Sequence, residues 1–261
     1  MKRIALIGIA ILFVSSATAQ EKTTANKWST FLQQSQMPDG TKYMSAPPDT
    51  SSIEYLNDFH QYQWGKSVRR TERGSQAVFD TNVSTDSIMK GFAEPFGMSV
   101  TKENTPEIYD LIERVINDAG NSVHTDKNKY GRKRPYVQYN ESTAVPTEEK
   151  ELRHSGSYPS GHSARGWTVT LVLTEINTTN QSQILKHGYE YGQNRVIAGY
   201  HYQSNVDAAR LAAGATVARL HADETFASQM AKAKKGLEKH FDKSHTEKKQ
   251  SKKLSNNNIE T

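Results

Sequence analysis

No cysteine occurs in the 261 residues of this chain. Disulfide cross-links, thiolate metal sites and a cysteine nucleophile are excluded, and stability has to come from packing. Long apolar runs are scarce as well. Ile4 to Val14 is almost wholly apolar but falls short of the roughly twenty residues that a bilayer span needs. Lys2 and Arg3 precede it and Ala17-Thr18-Ala19 follow, the make-up of a secretory signal cut before Gln20. No later segment is apolar enough to span a membrane. Strand-like alternation is also missing, which leaves an all-α fold, and no internal repeat is present.

The formal net charge is +5, but its location matters more than its size. Residues 227–261 hold nine lysines against four acids, whereas residues 20–226 hold 22 basic and 24 acidic side chains. The basicity therefore belongs to a Lys-rich end rather than to a binding face, and no specific nucleic-acid partner is expected. Four regions follow. Residues 1–19 are the signal, and 20–50 a turn-rich arm pinned by Trp28, Phe31 and Leu32. Residues 51–226 form the helical domain, and 227–261 a partly disordered extension.

Within the domain, Ile53, Leu56, Phe59 and Tyr62 mark one side of a helix that starts after Ser52. A shorter helix begins at Ser84-Thr85-Asp86 and ends near Gly97. Thr105-Pro106-Glu107 opens the clearest helix, with a cap residue, proline in the first helical position and an acid in the first turn. Ile108, Leu111, Ile112, Val115 and Ile116 form its apolar stripe, and Arg114 and Asp118 read as a solvated pair one turn apart. Further helices run from the Ser160 turn to about 177, from 182 to 198, and from 205 to 220. Ser204 and Asp207 have capping-box spacing for the last of these.

Two clusters carry chemistry. Pro159-Ser160-Gly161-His162 leads straight into a helix, so free backbone N–H groups and the positive end of the helix dipole offer an anion site. Arg195, then His201, then Ser204-Asn205-Val206-Asp207 lie about thirty residues on, far enough for the chain to run out and return. Upstream stand Lys127 and Arg134-Pro135, the proline forcing Arg134 into extended geometry. Lys129, Arg132 and Lys133 read as solvated neighbours.

These pieces in this order resemble the type 2 phosphatidic acid phosphatase/haloperoxidase superfamily, and within it the bacterial class A non-specific acid phosphatases. Arg70-Thr71-Glu72-Arg73-Gly74, Asn117-Asp118-Ala119-Gly120 and Gly199-Tyr200-His201-Tyr202-Gln203-Ser204 extend the likeness over roughly residues 48–233. The resemblance implies a compact helical bundle and a periplasmic, metal-independent acid phosphatase without cofactors, acting on small phosphorylated substrates and open to homo-oligomerisation. It makes His201 the nucleophile and His162 the general acid. Lys127, Arg134, Ser160, Gly161 and Arg195 become the phosphate cradle. Two positions depart from the family pattern. Asn194 stands where the family has serine, and Asn205 where it has the aspartate that supports the nucleophile. An amide carries no charge, so Asn205 is expected to limit turnover, with Asp207 too far round the helix to substitute. Two alternatives follow: a degenerate member that binds phosphate or phosphorylated ligands with little turnover, and a vanadium haloperoxidase.

Overall fold

The computed structural model describes residues 29–257, with side chains described as far as Asp242. The expected signal and Trp28 lie outside the described residues. In chain order the helices are α1 Ile53–Val68, α2 Glu72–Phe79, α3 Thr85–Phe96, α4 Pro106–Ser122, α5 His124–Tyr130, α6 Pro135–Gln138 and α7 Glu149–Leu152. They continue with α8 Gly161–Ile176, α9 Gln181–Ile197, α10 Gln203–His221 and α11 Glu224–Asn257. Among the described residues there is no strand, and the all-α reading holds. No described helix is long and apolar enough to cross a membrane.

α8 occupies the centre because its sequence is apolar or small on nearly every side, from Ala164 and Gly166 through Val169, Val172 and Leu173. It packs against α4, α9 and α10. The α4 stripe meets Phe92 and Phe96 of α3, Val169 and Leu173 of α8, and Phe226 and Met230 of α11 in the main core. Small residues Ala208, Ala209 and Ala212 let α10 lie close to Ala164 of α8. Gly199 takes φ +89° in the turn between α9 and α10, a left-handed conformation that favours glycine, and this reversal brings His201 back beside Arg195.

Four expectations need correction. The expected apolar stripe of α1 is split: Ile53 is 81% and Leu56 55% exposed, whereas Tyr62 joins Asp58 and Gly65 on the buried face. α1 packs on α9 and α10 near polar groups, so its inner side had to be polar. Arg114 and Asp118 are no solvated pair. The Asp118 carboxylate is buried and accepts the Phe31 and Leu32 N–H groups at 2.9 and 3.0 Å, and Arg114 donates to the Thr30 carbonyl at 2.9 Å. Both tie down the arm. The capping box at Ser204 does not form, because α10 begins at Gln203 and Asp58 of α1 takes the Ser204 N–H at 2.8 Å. Finally, α11 runs as helix from Glu224 to Asn257, through most of the extension expected to be partly disordered. Its lysines, glutamates and glutamines are favourable helix formers.

Candidate active site

Lys127 from α5, Arg134 at the start of α6, Gly161 and His162 at the start of α8, Arg195 near the end of α9 and His201 beyond it line one cavity of about 630 Å³. Residues far apart in sequence thus converge as expected. Ser160 and Asn205 lie fully buried behind the wall, not in it. Glu148, Glu151 and Arg165 also line the cavity. Among the described residues no three His, Cys, Asp or Glu side chains come together as a metal-ion site.

The cations are held by neutral groups. Lys127 Nζ donates to the Gly156 carbonyl at 2.7 Å, and Arg134 Nε to the Leu152 and Ser155 carbonyls at 3.0 and 3.2 Å. Arg195 stacks 4.3 Å from the Tyr200 ring centre, and its Nε and Nη1 are buried without a partner. Buried charged donors left open in this way call for an anion. Ser160 Oγ caps α8 by accepting the Ser163 N–H at 3.2 Å and the Ser163 hydroxyl at 2.9 Å.

His201 has one consistent tautomer. Arg134 Nη1 lies 3.0 Å from Nε2 and can only donate, so Nε2 carries the lone pair. Nδ1 then carries the proton and donates it to the Ser157 carbonyl at 2.9 Å. This is the form a nitrogen nucleophile needs. The acceptor is a backbone carbonyl, not the side chain at position 205.

Asn205 is oriented just as firmly. Arg132 Nη1 donates to its Oδ1 at 2.6 Å, and its Nδ2 donates to the Ser157 carbonyl at 2.9 Å. Reversing the amide would set donor against donor and acceptor against acceptor. Asn205 Nδ2 lies 3.3 Å from His201 Nδ1, and the two donors share the Ser157 oxygen, one to each lone pair. Asn205 therefore holds the Ser157 carbonyl that accepts the Nδ1 proton, and does not itself accept it. Its backbone carbonyl also accepts the Ser160 N–H at 3.0 Å, tying α10 to the turn before α8.

The carboxylate charge comes from elsewhere. Arg132, read as solvated from sequence, is nearly buried and pairs with fully buried Asp58 at 2.8 Å. Asp58 also accepts the Ser204 N–H at 2.8 Å and the Ser204 hydroxyl at 2.6 Å. A chain of contacts thus runs from Asp58 through Arg132 to Asn205 and the Ser157 carbonyl. Asp207 takes no part, pairing with Arg210 at 2.8 Å instead.

His162 stacks on Tyr191 with ring centres 5.2 Å apart, and its Nε2 is hydrogen-bonded to the Asp80 carbonyl. A carbonyl only accepts, so Nε2 keeps a proton and Nδ1 is the atom that can exchange one. Asn194 explains itself here. It donates to the Asp80 carboxylate and accepts from Arg73, bracing the segment that anchors His162.

Burial pushes His201 and His162 well below the ordinary histidine range, and the neighbouring cations push them further: first Arg134 for His201 and first Arg195 for His162. Burial and then Arg134, Arg165 and Arg195 push Lys127 downward as well. Each group is thus driven towards neutrality by lost hydration and repulsion, and a bound dianion opposes both. Binding should raise these pKa values and take up protons, so affinity should rise as pH falls. Sulfate, which has no proton of its own to titrate over roughly pH 5–8, isolates the effect. Calorimetry in buffers of different ionisation enthalpy should report net proton uptake. Uptake of none would contradict this electrostatic picture.

Sequence reasoning missed Asp58, Arg132, Ser157 and Arg165. Arg132 was findable: Pro135 holds Arg134 extended, and in an extended segment residues two apart share a side. A backbone acceptor such as Ser157 leaves no signal in side-chain identity.

Comparison with known proteins gives the same class as the geometry. Residues 115–227 match the PAP2 superfamily. The chain is 42% identical to a non-specific acid phosphatase of Providencia stuartii over 240 residues, covering 90% of this chain and 97% of that protein. It is 35% identical to a non-specific acid phosphatase of Salmonella typhimurium over 196 residues, 75% of this chain and 78% of that one. An acid phosphatase of Zymomonas mobilis is 30% identical over 208 residues, 80% of this chain and 79% of that protein. The chain belongs to the PAP2 superfamily, among the bacterial class A non-specific acid phosphatases.

Proposed function

We propose that this protein is an exported acid phosphatase that hydrolyses small phosphate monoesters through a phosphohistidine at His201, without a metal ion. The observation that carries the reading is the His201 ring. Its Nε2 lone pair faces the cationic cavity, and its Nδ1 proton is held by the Ser157 carbonyl. Kinship with proteins named acid phosphatases supports the substrate class. Export rests on the signal-like residues 1–19.

In this mechanism the non-bridging oxygens take donors from Lys127, Arg134, Arg195 and the N–H groups at the start of α8, with Ser160 capping that helix from behind. Those oxygens draw the Arg134 N–H away from Nε2 and free its lone pair. Nε2 attacks phosphorus, the P–O ester bond breaks, and His162 Nδ1 gives its proton to the departing alkoxide. A water then attacks phosphorus, its proton passes to His162 Nδ1, the P–N bond breaks and phosphate leaves. Arginine and lysine charge does the neutralising that a metal ion would otherwise do.

The test is hydrolysis of p-nitrophenyl phosphate by the mature protein at acidic pH with a chelator present. Turnover inhibited competitively by vanadate is expected. Vanadate or phosphate binding without turnover would replace this reading with that of a phosphate-binding family member.

A further inference from the structure

Arg165 belongs to none of the motifs that define the cradle, yet its guanidinium forms part of the cavity wall. It lies one turn beyond Gly161 on the same face of α8, and it folds back towards the helix start, where Nη1 donates to the Gly161 carbonyl at 3.3 Å. Gly120 of α4 makes room for it: a Cβ there would stand 2.2 Å from Nη2. On the other side, a Cβ on Gly161 would lie 3.4 Å from Nη1 and 3.5 Å from Lys127 Cε. The guanidinium is thus wedged between α4 and α8 at the edge of the cradle.

Among the described residues no carboxylate neutralises it: none comes within ion-pair distance of Arg165, nor of Lys127, Arg134 or Arg195. Three guanidinium charges, with Lys127 beside them, therefore share one cavity, more than a single phosphate monoester dianion balances. The Gly161 carbonyl is the only protein acceptor for Arg165 among the described residues. Burial lowers its pKa with no acid to offset the cost.

Arg165 also marks a direction. Together with Val83 it is shared between the cradle and an adjoining cavity of about 730 Å³ that reaches Ser84, Asn117 and Asn121. Further from the cradle residues that cavity is lined by Lys102, Asp86 and Glu113, so the anion's place is at the Arg165 guanidinium itself. Its charge acts on His162, the residue that protonates the leaving group in the proposed mechanism. His162 and Arg165 both stand in the first turns of α8 and both line the cavity, so an alcohol protonated by His162 leaves beside the helix that carries Arg165. Glu148 and Glu151, which also line the cradle cavity, disfavour an anion near them.

We propose that Arg165 forms a second anion subsite, selecting phosphate monoesters whose alcohol carries a further anionic group, a carboxylate or a second phosphate, on that side. This inference rests on the phosphatase reading above. The decisive comparison uses phosphonates that cannot be cleaved, so binding is read whether or not any ester turns over. Calorimetry on the full mature chain should find 3-phosphonopropionate about tenfold tighter than propylphosphonate, the scale of one charge-assisted pair. In Arg165→Met that ratio should collapse to less than about threefold. Gly120→Ala, which would displace the guanidinium without removing it, should lower the ratio in the same way. Equal affinities in the wild type, no binding of either phosphonate, or a ratio kept in both variants would overturn the subsite. Hydrolysis of p-nitrophenyl phosphate with equal phosphonate affinities would sink the subsite alone and leave the phosphatase reading standing.

Discussion

Exchange of His201 for alanine is expected to lower kcat by at least about 10⁴-fold while weakening sulfate binding less than tenfold, the pattern of a lost nucleophile in an intact cradle. The oxyanion donors come from other residues: Arg195 with its open Nε and Nη1, Lys127, Arg134 and the turn that starts α8. Those groups stay in place when the imidazole goes, so ground-state affinity is largely kept. What disappears is the cavity-lining nitrogen whose lone pair is marked by the Arg134 donor. Added imidazole should restore part of the rate by occupying the vacated volume. Equal losses in kcat and in sulfate affinity would mean that His201 shapes the cradle and does not attack.

A second large effect is expected at Asp58. Its carboxylate holds Arg132, the Ser204 N–H and the Ser204 hydroxyl while fully buried. Asp58→Ala leaves the Arg132 charge unpaired in a nearly dry site, which costs about 3–5 kcal/mol of folding stability. Asn205→Asp places a new carboxylate beside Arg132, where Asn205 Oδ1 now accepts at 2.6 Å. In the Asp58→Ala background it should therefore recover a large part of the lost stability, as read from denaturant midpoints in a double-mutant cycle. In the wild-type background the same substitution should change kcat by less than about tenfold, or 1.4 kcal/mol. The Nδ1 proton of His201 already has an acceptor in Ser157, and the charge of the new carboxylate would be matched by Arg132. A larger rise in kcat would return position 205 to the role the family pattern gives it.

The difference between these expectations and a sequence-only account lies in a few residues. The start of α4 at Pro106 and its apolar stripe were legible because proline in the first helical position and 3.6-residue periodicity are local signals, although the Thr105 side chain makes no cap. The cradle was legible because the spacing of Lys127, Arg134, Ser160 and Arg195 follows a family pattern. The support for His201 was not, because it is made by a backbone carbonyl and by an acid on α1, more than 140 residues away in sequence. In α1, the prominent Ile53 and Leu56 drew attention to the exposed face and away from Asp58. The spacing of Ser204 and Asp207 suggested a local cap, whereas tertiary contact supplied it from Asp58. Asn205 is a defect only if residue 205 must accept the Nδ1 proton, and in this fold it does not.

The most direct test of the account is rapid-quench labelling with a phosphate monoester carrying radioactive phosphorus. The mechanism predicts an acid-labile, alkali-stable adduct on the peptide containing His201, with phosphorus on Nε2, since Nδ1 faces the Ser157 carbonyl. Label on His162 or on Nδ1 of His201, or turnover with no phosphoenzyme in the quench window, would contradict it.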